Sequence, residues 1–122
     1  MKKTILLTLS VIAFTAFVNV ASVVAQEILE PWPGVTIKVL AENDNVKVFR
    51  VTFAKNAVAD WHSHPEHTVY ALTNTKLKAE EKGKEPAIWD LKAGQAAYSP
   101  AVMHKTSNIG KKKATLIVTE IK

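Results

Sequence analysis

Two stretches of this chain alternate apolar and polar residues at period two, the spacing of half-buried strands: Val46-Lys47-Val48-Phe49-Arg50-Val51-Thr52-Phe53 and Ala114-Thr115-Leu116-Ile117-Val118-Thr119-Glu120-Ile121. A third, Val35 to Leu40, is rich in β-branched residues and follows Pro31-Trp32-Pro33-Gly34, a strong turn signal. Shorter strands are predicted over Thr68–Leu72, Thr75–Glu81, Ala87–Leu91 and Gln95–Ser99. Asn43-Asp44-Asn45, Lys82-Gly83-Lys84, Lys92-Ala93-Gly94, Pro100 and Gly110 punctuate them. Beyond residue 25 no segment sustains an apolar stripe at helical period. Strand signals about every 8–12 residues with Gly and Pro between them predict an all-β sandwich or small barrel.

The first 25 residues read differently. Met1-Lys2-Lys3 is a positive start, Ile5 to Val18 is almost wholly apolar, and Val23-Val24-Ala25 places small residues before Gln26-Glu27. That is the layout of a cleaved export signal. The run is nominally long enough to span a membrane, but Thr, Ser and Asn19 dilute it and no stop-transfer charges follow. The expectation is therefore a signal peptide over 1–25, no stable membrane anchor, and a periplasmic or secreted protein. Residues 26–45 read as an N-terminal extension or edge strand, and 46–122 as the barrel domain.

Composition narrows the chemistry. Of 122 residues none is cysteine, which excludes disulfides, thiolate metal sites and a cysteine nucleophile. Removing residues 1–25 leaves 97, enough for one domain. The same cleavage removes Lys2 and Lys3 and no acid, so the formal charge falls from +5 to +3. Lys111-Lys112-Lys113 beside Gly110 reads as a solvated turn. With no basic cluster interleaved with aromatics, no nucleic-acid partner is expected.

Three of the four histidines fall in Trp61-His62-Ser63-His64-Pro65-Glu66-His67, and the fourth is His104. Residues i and i+2 of an extended segment share a face, so His62 and His64 can aim two imidazoles at one point. A third from a neighbouring strand would complete a nitrogen donor set suited to a transition metal.

The surrounding residues resemble the two motifs of the cupin superfamily. His62-Ser63-His64-Pro65 followed by Val69-Tyr70-Ala71-Leu72 is similar to the first. Gly94, five residues and Pro100, then His104 and Asn108 separated by three residues, are similar to the second. The likeness is greatest to small single-domain bacterial cupins, some of them associated with β-alanine degradation. It implies a double-stranded β-helix, or jelly-roll-like, barrel with its site between the sheets. It also implies His62, His64 and His104 as ligands of a divalent transition metal (Zn, Fe, Cu, Ni or Mn), a small-molecule ligand or substrate, and a homodimer.

The chain departs from the family where it should carry a glutamate ligand, near position 68, which is Thr68. A barrel that has lost its metal is the competing reading. Parity with His62 and His64 would turn Thr68 and Tyr70 inward and His67 outward. This makes His67 a surface residue first and a possible fourth ligand second. Tyr70 and Tyr98 are candidate substrate contacts, with core packing the alternative for each. Two functions follow: a metal-dependent enzyme of dioxygenase or isomerase type acting on a small organic molecule, or a non-catalytic barrel that binds a metal or ligand.

Overall fold

The computed structural model describes residues 27–122; the expected signal peptide lies outside the described residues. The described chain is all-β, with ten strands: β1 Ile28–Trp32, β2 Val35–Glu42, β3 Val46–Phe53, β4 Val58–His64, β5 His67–Ala71, β6 Thr75–Glu80, β7 Ala87–Leu91, β8 Ala96–Ser99, β9 Val102–Asn108 and β10 Ala114–Ile121. They form two antiparallel sheets, one ordered β1-β2-β3-β10-β5-β8 and the other β4-β9-β6-β7. The expected strands 46–53, 87–91 and 114–121 match β3, β7 and β10 in full.

Period-two alternation places the core between the sheets. Phe49, Val51 and Phe53 of β3 lie opposite Val118, Leu116 and Ala114 of β10, and all six are buried. Residues 26–45 are more than an appended edge. Their β2 pairs along β3, and Val35 is fully buried. Pro31 stands inside β1, a position tolerated because β1 is the outermost strand of its sheet and Pro cannot donate to a ladder. The following turn needs Gly34: its φ is +75°, and a Cβ there would lie 3.1 Å from the Cβ of Ala57.

Asn108 ties three segments together from a fully buried position. Its side-chain amide donates to the carbonyls of Phe53, Ala54 and Lys112, and its Oδ1 accepts from Gly110 N–H. The second-motif asparagine therefore clamps the β9–β10 turn onto the end of β3.

Candidate metal centre

The centre begins with a defect in a strand. Between Ala59 and His62 the pairing of β4 with β9 slips: Ala59 faces Thr106 and His62 faces His104, so β4 spans this interval with one residue more than β9. Such a bulge resets alternation, so Ala59, His62 and His64 all face inward. It also turns the Asp60 carbonyl to accept a 2.6 Å hydrogen bond from His62 Nδ1. A carbonyl only accepts, so Nδ1 carries the proton of the neutral ring and Nε2 presents its lone pair.

His64 is fixed in the same way by a different partner. Its Nδ1 donates to Glu120 Oε2 at 2.7 Å, again leaving Nε2 as the donor to a ligand. From β9, His104 brings its Nε2 to 3.1 Å from His62 Nε2. One ring nitrogen from each of His62, His64 and His104 lies within 4.8 Å of the others. Two nitrogens bound to one ion at about 2.0–2.1 Å stand roughly 2.8–3.4 Å apart at octahedral to tetrahedral angles. The 3.1 Å contact falls in that range. Two rings held in the Nε2-donor tautomer and a third meeting them form a set that fits a divalent transition metal.

His67 differs from its expected place. It is 2% exposed and faces inward, with its ring centroid 4.7 Å from that of His64 and its Nδ1 donating to the Pro65 carbonyl at 2.8 Å. Parity counted from His64 does not carry over, because the chain leaves one sheet at His64 and enters the other at His67. The break at Pro65-Glu66 restarts the alternation. For the same reason Thr68 and Tyr70 face outward. From β5, His67 and Val69 face the centre.

The two tyrosines stand away from the histidines. Tyr70 is 45% exposed and Tyr98 is 61% exposed, and neither lines the cavity beside the histidines. Tyr98 pairs with Thr68 in the β5–β8 register, on the outer face of the six-stranded sheet. Sequence reasoning misses three residues that do border the cavity: Trp32, Trp89 and Thr106. Trp32 looks like a turn residue in the sequence; its ring centroid stands 5.1 Å from that of His62. Glu120 is missed as well. Its signal is present, since it shares parity with Ala114, Leu116 and Val118 and so puts an acid on an apolar face.

The cavity holds about 110 Å³. It exists because the sheets are unequal: β3 and β10 present Phe49, Val51 and Val118, whereas the facing β4 and β6 present Ala59 and Ala79.

Burial disfavours charge on two of these rings, His64 and His104. His104 is pushed down to about 3, first by desolvation and then by its imidazole neighbours. His64 is lowered too, mainly by burial, with the Glu120 hydrogen bond opposing. The sign follows from linkage: an unfolded His104 takes up a proton below about 6.5 that the folded protein refuses until about 3. Stability of the metal-stripped protein should therefore fall as acidity rises through that window. Its Tm should drop between about pH 7 and about pH 4.5, less steeply in His104→Gln. A wild-type Tm constant over that interval would contradict a His104 held neutral by burial.

No protein-family model and no curated protein sequence matches the chain. Solved structures do. A cupin domain from Bordetella pertussis Tohama I is 25% identical with a TM-score of 0.68, covering 77% of this chain and 99% of that one. An RmlC-like cupin from Shewanella frigidimarina NCIMB 400 is 23% identical with a TM-score of 0.59, covering 80% and 84%. A single-residue variant of oxalate decarboxylase from B. subtilis is 12% identical with a TM-score of 0.64, covering 80% of this chain and 28% of that one.

Proposed function

We propose that this chain, a small protein of the cupin superfamily by its fold, holds one divalent transition metal through His62, His64 and His104 and acts there on a small organic molecule. The observation that carries the reading is the convergence of three ring nitrogens, two of them locked as Nε2 donors by Asp60 and Glu120. When bound, such an ion supplies Lewis acidity and open positions for a substrate oxygen or for dioxygen. The chain supplies the rest. Hydrogen bonds orient His62 and His64, Thr106 places a hydroxyl 3.4 Å from His104 Nε2, and the remaining walls are largely apolar.

Enzymes occur on this fold, oxalate decarboxylase among them. A non-catalytic binding barrel is favoured by one feature: among the described residues that line the cavity, only imidazoles and Thr106 could move a proton. The proposal includes export after cleavage behind Ala25, and pairing of two copies along β1, an outer strand with exposed Ile28 and Leu29.

One preparation tests these points together. Protein recovered from the exported fraction should begin at Gln26 by intact mass and scatter light as a dimer. It should carry about one equivalent of Zn, Fe, Cu, Ni or Mn per chain, lost in the His62→Ala/His64→Ala double variant. Failure to load any of these metals, even on refolding in their salts, would overturn the metal reading. A retained residue 1 or a monomeric mass would overturn the other two parts separately. Turnover that vanishes in His104→Ala would decide for an enzyme.

A further inference from the structure

The polar and apolar parts of the cavity are segregated. In register, Glu120 of β10 lies opposite His67 of β5, while Leu116 lies opposite Val51 of β3 and Ala71 of β5. The imidazoles therefore gather at one end of the barrel, and Val51, Phe53, Leu77 and Leu116 close the other. Among the described lining residues none is Lys, Arg, Asp or Glu. Arg50, the only arginine of the chain, alternates away from Phe49 and Val51. Glu120 is already engaged by His64. The volume of about 110 Å³ compares with the ~150 Å³ of an apolar cavity that takes up benzene.

Resting on the metal reading above, we infer the class of molecule that this site accepts: a single oxygen-donor head on a short, uncharged hydrocarbon body smaller than benzene. The head sits at the histidine end. The body fills the space among Val51, Leu77 and Leu116, with Trp32 and Trp89 at the margin. A second charged or strongly polar group on the body would be buried opposite hydrocarbon with no partner, and its lost hydration would be uncompensated. Dicarboxylates and polyhydroxylated molecules are thereby rejected.

Butyrate and succinate test this, because they share a carboxylate head and a four-carbon chain and differ only at the far end. Binding to zinc-loaded protein can be followed by tryptophan emission. Trp32 and Trp89 line the cavity, and Trp61 lies outside it beneath Lys82 and Lys105. Butyrate should bind at least about tenfold more tightly than succinate, in line with the cost of burying an unpaired charge. Xenon, a smaller apolar probe, should also bind to chelator-stripped protein, with Leu77→Gln weakening it. Equal binding of the two acids, or no uptake of xenon, overturns the inference. Protein that takes up xenon but no zinc sinks the metal reading alone and leaves the apolar selection standing.

Discussion

Replacing Asn108 by alanine should destabilise the protein by about 3 kcal/mol, because several buried polar groups lose their partner at once. The carbonyls of Phe53, Ala54 and Lys112 all accept from its amide, and Gly110 N–H donates to its Oδ1. For a domain of this size the loss corresponds to a fall in Tm of roughly 12–24 °C. Asn108→Asp is no remedy: it keeps the acceptor for Gly110 but turns a second oxygen toward three carbonyl oxygens. Asn43 gives the contrast. Its Oδ1 accepts from Asn45 and Val46 N–H in an exposed turn where water can substitute, so Asn43→Ala should cost only about 1 kcal/mol or less. Urea unfolding of the three variants checks the order. A loss in Asn108→Ala as small as that in Asn43→Ala would show that the clamp is dispensable.

Glu120→Gln should weaken metal binding by about 10–100-fold while changing stability little. The carboxylate accepts the Nδ1 proton of His64 at 2.7 Å. It thereby fixes the ring's tautomer and orientation, and its charge makes Nε2 a better donor. A glutamine oxygen can still accept that proton, so folding is largely kept, but the negative charge is gone. Competition against a chromogenic chelator reads the affinity, and thermal unfolding of the stripped protein reads the stability. An affinity equal to wild type would remove Glu120 from the site. A parallel fall in Tm and affinity would make its role structural.

Much of this is legible in the chain. Strands β3 and β10 announce themselves by alternation over their whole length, because each buries one face and wets the other. The second motif places His104 and Asn108 on one segment, two repeats of the pleat apart. β1 is hidden because Pro31, which the sequence marks as a turn, is tolerated on an outer strand. Tyr70 is misplaced when it is counted from His64 as if one strand ran through both.

The amino-acid sequence by itself determined the all-β class and the extents of β3, β7 and β10, since period two is a property of the chain alone; the resemblance of its motifs pointed to His62, His64 and His104, while β4 and β9, which carry them, left no alternation to read. Only the tertiary structure decided which faces look inward around the site. The extra residue in β4 and the crossing between sheets at Pro65-Glu66 each reset the alternation, and neither leaves a period that can be read in advance. Glu120 and His67 join the centre from strands distant from His62 in pairing order, and only the closing of one sheet over the other brings them there.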